Sequence, residues 1–309
     1  MDDRSTLWTW LLLVLGPVLA VALTNTGLAH ARPYWELLLR LPEGSPHRTD
    51  ALLWQQPEPS VAIIGSSVAV HGLSAPILSA QLSGAPVVNL GQNGASVLTT
   101  AMLLPELRDA APEQVVLMLS PLELRADQDP DWQRHYSPTI AAAVFSLPEV
   151  LRQPAPHLSG MASRASVLYR HRDGLRAALT RNMAKAGGLE HPQGFDAYLA
   201  WARAELAALD LHRPGPNHTA LRALAAGLSA SGSALIICPA PLHPSLQPEG
   251  FSRPLHAALD IMAAETDFVV LNPRRLGRYT ADDFQDPLHL TSGGQRRLTA
   301  AVARQLRAL

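Results

Sequence analysis

The chain has 309 residues and a net charge of −1, so no overall field favours binding to nucleic acid. Charged residues make up only 17% of it, below the roughly 25% of an average globular protein, which indicates that some part of the chain is unusually apolar. Its single cysteine, Cys238, excludes an internal disulfide and any zinc or iron–sulfur site that needs several cysteines.

The first segment of the chain predicts a transmembrane anchor over residues 1–30. Residues 5–29 carry no charged side chain, and about 20 apolar residues in a helix match the thickness of a bilayer core. Trp8 and Trp10 lie where an aromatic belt would meet the membrane surface. Two alternatives stay open: a buried soluble helix, and a signal peptide cleaved near the small-x-small triplet Ala29-His30-Ala31.

The charges that flank this segment bear on the side of the membrane where the rest of the chain lies. Arg4 precedes the segment whereas Arg32 and Arg40 come after it, and this count slightly favours a cytoplasmic body. An N-terminal anchor, however, most simply exports the rest of the chain. We therefore expect a single-pass protein of the cell membrane whose body faces the periplasm or the extracellular side.

After a proline-rich linker over residues 31–60, short apolar runs alternate with helix-like stretches. The runs predict five strands, at residues 61–64, 86–90, 114–119, 234–238 and 268–271. The other stretches predict helices, at residues 73–82, 96–107, 218–230, 253–264 and 291–306. This alternation predicts an α/β fold, a doubly wound and mostly parallel five-stranded sheet in a flavodoxin-like, three-layer arrangement.

One region interrupts the alternation. Residues 121–215 contain several prolines and two helix-like stretches, at residues 164–180 and 195–209. We expect a helical insertion that forms a cap or a partner surface and not an independent domain. Residues 61–309 would then make one α/β domain.

Residues suited to serine chemistry stand at two distant places in the chain. Gly65-Ser66-Ser67 ends the first strand, and Asp286-Pro287-Leu288-His289 comes just before the last helix. A serine nucleophile needs an imidazole to take its proton and a carboxylate to orient that imidazole. Because ligands sit at the carboxyl ends of strands in such a sheet, we expect the two places to meet there.

Other interpretations of these residues stay open. Ser66 could be the nucleophile instead of Ser67, or both could be turn serines that stabilise the exit from the strand. Asp286 and His289 could belong to a surface loop that caps a helix. His71, close to Ser67, is expected to be a structural histidine.

In these motifs the chain resembles the SGNH/GDSL hydrolase superfamily. The strand that ends in Gly65-Ser66-Ser67 is similar to the first block of that family, with Ser66 in place of the usual Asp, and the resemblance implies Ser67 as the nucleophile. The final motif is similar to the Asp-x-x-His block of the family. It implies His289 as the base and Asp286 as the carboxylate that orients it.

A middle segment resembles the second block of the same superfamily. Residues 89–96 read Asn-Leu-Gly-Gln-Asn-Gly-Ala-Ser, which implies the Gly94 N–H as a donor to the oxyanion, with Gly91 as the alternative. The third block departs from the family because residues 119–123 read Leu-Ser-Pro-Leu-Glu, without the usual Asn. Asn93 is a candidate to stand in for it.

This departure, together with the N-terminal segment, looks more like envelope-modifying members of the superfamily, namely DltD-like and O-acetyltransferase-like proteins. The resemblance implies a membrane-anchored, extracytoplasmic serine esterase or O-acyltransferase that acts on a cell-envelope glycan or polymer, with a membrane acyl-donor protein as an expected partner. It covers roughly residues 60–120 and 230–309.

Two other functions stay open, a non-catalytic envelope module for binding or assembly on the same fold, and a small-molecule esterase with a deep apolar pocket under the insertion. No cofactor is predicted, because neither a dinucleotide nor a P-loop glycine pattern comes after the first strand. No metal site is predicted either.

Overall fold

A computed structural model describes residues 26–27, 30–125, 132–179, 194–211, 214–247 and 251–309. The transmembrane anchor predicted for residues 1–30 lies almost wholly outside these described residues. Within them, no helix combines the length and the apolar character that crossing a membrane requires.

Five parallel strands form a single sheet, in the order β2-β1-β3-β4-β5. The strands are β1 (Val61–Gly65), β2 (Val87–Asn89), β3 (Gln114–Leu119), β4 (Ala234–Pro239) and β5 (Val269–Val270). Each overlaps the apolar run that predicted it, and every pairing between neighbours is parallel. The predicted α/β fold with a parallel five-stranded sheet is confirmed.

Helices cover both faces of this sheet and also fill the segments before β1 and between β3 and β4. In chain order they are α1 (Arg32–Leu39), α2 (Thr49–Gln55), α3 (Ser67–Gly72), α4 (Ala75–Gln81), α5 (Val97–Ala101), α6 (Leu104–Ala110), α7 (Pro138–Val144), α8 (Leu147–Arg152), α9 (Pro154–Ala165), α10 (Val167–Leu179), α11 (Phe195–Ala208), α12 (Pro216–Ser229), α13 (Arg253–Glu265), α14 (Pro273–Leu276) and α15 (Ser292–Leu306).

Two buried clusters show how the layers pack. Successive side chains of a strand point to opposite faces, so Ile63 and Ile64 of β1 enter different clusters. Ile63 packs with side chains of α3, α4 and α15, whereas Ile64 packs with those of α5, α6, α12 and α13. The sheet therefore lies between two helical layers, and the carboxyl ends of its strands open at one edge.

The segment predicted as a linker, residues 31–60, is different in the structure. It contains α1, a 3-10 turn at Pro46–Arg48 and α2. Pro33 and Pro46 occupy the first turn of a helix, where a missing N–H costs nothing, so these prolines begin helices here. Trp35 and Leu38 of α1 are buried in a cluster to which residues of α10 also belong, so the segment is part of the body.

Two predicted helices are broken. The stretch at residues 96–107 divides into α5 and α6 because Pro105 can begin a helix but cannot continue one. The stretch at residues 164–180 contains the end of α9 and all of α10. Ser166 between them is extended, and its hydroxyl accepts the N–H of Tyr169 at 3.2 Å as a cap of the new helix.

Candidate active site

The turn after β1 requires its glycine. Gly65 has a φ of +136°, a conformation that other residues rarely adopt, and a Cβ there would lie 2.5 Å from the carbonyl oxygen of Met118 on β3. Ser66 then caps α3, since its Oγ accepts the N–H of Val68 at 3.3 Å. Ser67 is therefore the first residue of α3, half-buried at the carboxyl edge of the sheet.

A tight loop before α15 holds Asp286 and His289. The loop is closed by an antiparallel bridge between Phe284 and Leu290, and the N–H of Gln285 donates to the His289 carbonyl at 2.9 Å. Inside it, Oδ1 of Asp286 accepts the backbone N–H groups of Leu288 and His289, each at 2.9 Å. These bonds leave Oδ2 of Asp286 directed at the imidazole.

The structure brings Ser67, His289 and Asp286 into one line of hydrogen bonds. Nε2 of His289 lies 2.7 Å from Oγ of Ser67, and its Nδ1 lies 2.7 Å from Oδ2 of Asp286. A carboxylate can only accept, so Nδ1 carries the proton and the lone pair of Nε2 faces the hydroxyl. Burial alone would raise the pKa of Asp286, but the hydrogen bond and charge of His289 and the backbone N–H groups of Leu288 and His289 together outweigh it, and the pKa lies below its usual range.

Docking of the last helix joins these two distant parts of the chain. Nε2 of Gln295 on α15 donates to the carbonyl of Val70 on α3 at 3.2 Å. The N–H of Ser74, just after α3, donates to Oγ1 of Thr299 at 3.1 Å. The helix that begins at Ser67 and the helix that comes after His289 are thus fixed to each other.

The second-block loop lies against the same strand end. The N–H of Gln92 donates to the carbonyl of Gly65 at 2.9 Å, and Gln92 to Ala95 form a turn in which Gly94 has a φ of +73°. Gly94 is exposed, whereas the N–H of Gly91 donates to the side chain of Asn89 at 2.9 Å. This bond occupies Gly91 and favours Gly94 of the two candidate donors.

Asn93 lies on the other side of that loop. Its N–H donates to the carbonyl of Gly44 at 2.8 Å, and its Nδ2 donates to the carbonyl of Glu43 at 3.4 Å. These bonds tie Asn93 to the segment after α1. The position of the side chain favours a role in fixing the loop over the predicted role of the missing third-block Asn.

Sequence reasoning assigned no role to Glu123, which lies where the third block departs from the family pattern. Its carboxyl is buried and accepts the Ser66 hydroxyl and, at 2.5 Å, the N–H of Ser120. Burial raises the pKa of Glu123, and the bonds from Ser120 and Ser66 oppose that rise in part. The Ser-x-x-Glu spacing directly after a strand, typical of a capping box, could have drawn attention to it.

Other aromatic rings surround the imidazole of His289. The ring of His71 is 5.0 Å away, and burial, then the nearby His289, lowers the pKa of His71. Tyr198 of α11 contributes a buried ring 6.4 Å away, and its pKa is raised by burial and by Asp286 and Glu123. A helix of the region between β3 and β4 therefore packs beside the site.

A cavity of about 390 Å³ lies near this site but does not include it. Residues from the segment after α1, from α3 and from the second-block loop line it, among them Arg48, Val70 and Gly91. Ser67 and His289 are not part of its lining, and neither is any residue of α7 to α11. It is not the deep apolar pocket under the insertion that a small-molecule esterase would need.

Comparison with known proteins gives only distant likenesses. No family model matches the chain, and no curated protein sequence matches it. Among solved structures, TesA is 14% identical with a TM-score of 0.43, covering 80% of this chain and 98% of that one. A variant of Axe2, an acetyl-xylooligosaccharide esterase from Geobacillus, is 14% identical with a TM-score of 0.39, covering 80% of this chain and 93% of that one.

A third solved structure is described as a putative acylhydrolase from Bacteroides fragilis. It is 12% identical with a TM-score of 0.34, and the likeness covers 91% of this chain and 97% of that one. With TM-scores below 0.5, these likenesses add nothing to what the side chains themselves show.

Proposed function

We propose that this chain is a serine acyl-transfer enzyme of the SGNH type, with Ser67 as nucleophile, His289 as base and Asp286 as the carboxylate that orients it. The observation that carries the proposal is the line of two hydrogen bonds, each 2.7 Å, from Ser67 through His289 to Asp286. A nucleophile, a base and an orienting group within hydrogen-bond reach are the requirements of this chemistry.

Each of these groups has one task in the proposed reaction. Oγ of Ser67 attacks the ester carbonyl while Nε2 of His289 takes its proton, and the tetrahedral oxyanion is held by the N–H groups of Ser67 and Gly94. When the C–O bond to the alcohol breaks, His289 returns the proton to the leaving oxygen. Water or an acceptor hydroxyl then attacks the acyl-serine by the same route and restores free Ser67.

Ser66 is a weaker candidate for the nucleophile. Its Oγ donates to the buried Glu123 and accepts the N–H of Val68, so its proton and one lone pair are already engaged in the turn. Ser67, by contrast, directs its hydroxyl at an imidazole. Of these two adjacent serines, Ser67 is therefore the proposed nucleophile.

A fluorophosphonate probe, which forms a covalent bond with activated serines, tests the proposal. We expect it to label the wild-type protein and not Ser67→Ala, while Ser229→Ala serves as a matched control because Ser229 is an exposed serine bonded to Asp267. Peptide mapping should place the adduct on Ser67. Labelling of Ser66, or of no serine in a folded protein that also fails to turn over an aryl acetate, would contradict it.

The finer part of the proposal is a membrane-anchored, extracytoplasmic enzyme that modifies a cell-envelope glycan or polymer. The apolar segment at residues 5–29 and the altered third block support it. Because residues 119–123 contain no Asn, the proposed donors to the oxyanion are backbone N–H groups. A non-catalytic binding module on the same fold is the second candidate, favoured if the labelling experiment fails.

A further inference from the structure

A second group of polar side chains is buried in the helical layers. Asp50 belongs to α2, Glu106 to α6, and His135 to the segment before α7, so the three come from separate parts of the chain. Nδ1 of His135 lies 3.7 Å from Oδ1 of Asp50 and 3.8 Å from Oε1 of Glu106. Each residue has one atom able to bind a metal, and these three atoms lie within 4.8 Å of one another.

The hydrogen bonds of His135 decide which atom carries its proton. Its Nε2 lies 3.3 Å from the carbonyl oxygen of Pro46, which can only accept, so the proton of a neutral imidazole is on Nε2. The lone pair of Nδ1 then faces the two carboxylates. His135 is only 1% exposed, so water around the protein does not reach this nitrogen freely.

Each of the three residues has one acceptor atom without a donor. Nδ1 of His135, Oδ1 of Asp50 and Oε2 of Glu106 are all buried, and none has a hydrogen-bonding partner among the residues that the structure describes. A buried acceptor without a partner costs about 1–3 kcal/mol, and more when it is charged. A cation bound among the three residues would take a lone pair from each of them.

The remaining carboxylate oxygens are already held in place. Nη1 of Arg170 is 2.8 Å from Oδ2 of Asp50 and 3.1 Å from Oε1 of Glu106, and Nε2 of His171 is 2.9 Å from the same Asp50 oxygen. Arg170 therefore supplies one positive charge against two carboxylates.

We propose that Asp50, Glu106 and His135 form a binding site for a divalent metal cation of the Zn²⁺ class. Two ligands at zinc distances and a tetrahedral angle lie about 3.4 Å apart, so the two separations from Nδ1 of His135, 3.7 and 3.8 Å, need only a small contraction. Metal-binding histidines commonly donate their other N–H to a carbonyl, and metal-binding carboxylates are themselves hydrogen-bonded, as here. The imidazole favours Zn²⁺ over Ca²⁺, which prefers oxygen ligands.

This metal site would be structural. Its ligands join the segment before β1, a helix that packs on the sheet, and the region between β3 and β4. None of them touches Ser67, His289 or Asp286, so the site is independent of the proposed acyl transfer. It also goes beyond the sequence, which predicted no metal site.

Metal content and thermal stability of the full chain test the proposal. The protein is treated with EDTA, dialysed against Zn²⁺ and passed through gel filtration to remove free metal. Elemental mass spectrometry should then find about one equivalent of Zn²⁺ bound to it. Its Tm should exceed that of the EDTA-treated form. His135→Ala should lose both the bound Zn²⁺ and the Zn²⁺-dependent rise in Tm. Neither readout depends on acyl transfer.

The matched control is His157→Ala, which removes another buried histidine of the same region that is not among the proposed ligands. It should keep the bound Zn²⁺. If His135→Ala does not fold, Glu106→Gln removes a ligand with almost no change in shape and should lower the Zn²⁺ affinity at least tenfold. The proposal would be overturned if the ligand variants kept their full Zn²⁺ content or if His157→Ala lost it. It would also be overturned if the wild type bound no Zn²⁺ or preferred Ca²⁺.

Discussion

The carboxyl edge of the sheet and the buried group around Asp50 both place a histidine beside carboxylates, yet the two are opposite in their hydrogen bonding. At the edge, the imidazole of His289 donates to Asp286 and accepts from Ser67, so both of its nitrogens have hydrogen-bonding partners. The line of bonds ends at the half-buried hydroxyl of Ser67. Around His135, acceptors face acceptors in a closed interior. The same residue types therefore suit proton transfer in one region and cation binding in the other.

The two regions also differ in the bonds that hold each histidine. Backbone N–H groups in a short loop fix Asp286, and Asp286 in turn fixes His289, so that geometry is local. The carboxylates of the second group are held by Arg170, a long side chain from a distant helix. Variants that change one bond in each region should therefore have very different consequences.

The largest effect is expected at the edge, from Asp286→Asn. The amide can present its NH₂ group to Nδ1 of His289, which would move the imidazole proton to Nε2 and leave no lone pair for the Ser67 hydroxyl. By analogy with the same change in serine proteases, turnover of an aryl acetate should fall about 10⁴-fold. Steady-state kinetics with a circular dichroism spectrum would measure this, and a loss under tenfold in a folded variant would break the contrast between the two regions.

A smaller effect, on stability and not on turnover, is expected from Arg170→Met. The change leaves two buried carboxylates without their cation and should lower the free energy of unfolding by about 3–5 kcal/mol in EDTA. Urea unfolding measures it.

The matched control for this change is Arg222→Met, because Arg222 and Glu265 form an exposed ion pair. That variant should lose less than about 1 kcal/mol. If both arginine variants were equally stable, the buried group would not differ energetically from a surface pair. Zn²⁺ should restore part of the stability of Arg170→Met, since it replaces a positive charge at the same carboxylates.

The smallest effect is a pH dependence that arises from Glu123, a buried carboxyl at the edge. Because burial raises the pKa of Glu123 in the folded state, its ionisation opposes folding. Its contribution to stability is complete below the pKa of the unfolded chain and decreases as the pH rises through the higher pKa of the folded state.

The isosteric variant Glu123→Gln removes this titration. Unfolding free energies from about pH 4 to pH 8 should show the wild type losing stability relative to the variant as the pH rises. A difference between the two proteins that is constant over this range would show that the environment of Glu123 does not favour its protonated form.

Local patterns explain which parts of the structure could be predicted from the sequence. The strands could be recognised as apolar runs, since a strand covered on both faces needs no polar residue. Ser67 and His289 could be placed together because Ser67 comes directly after a strand and His289 lies in the loop before the last helix. In a parallel α/β sheet both positions are expected at the carboxyl edge of the strands. Their separation in the structure agrees with that expectation, while their catalytic roles stay a prediction.

Long-range contacts explain what the sequence did not show. Asp50 lay in a segment interpreted as a linker, because its prolines suggested an extended chain and only the buried Trp35 and Leu38 show that it packs on the body. No fixed spacing connects Asp50, Glu106 and His135. Glu123 was hidden for a similar reason, since its partner Ser66 is 57 positions away in the chain.

The distance along the chain between Ser67 and His289, 222 positions, has a consequence for the time at which the site forms. The ribosome makes the proposed nucleophile, Ser67, long before it makes the proposed base, His289. Until α15 has been synthesised and has docked on α3, the hydroxyl of Ser67 has no imidazole beside it. Under the proposed mechanism, Ser67 would become reactive only with the closing helix, and a growing chain that still lacks that helix would carry an ordinary alcohol.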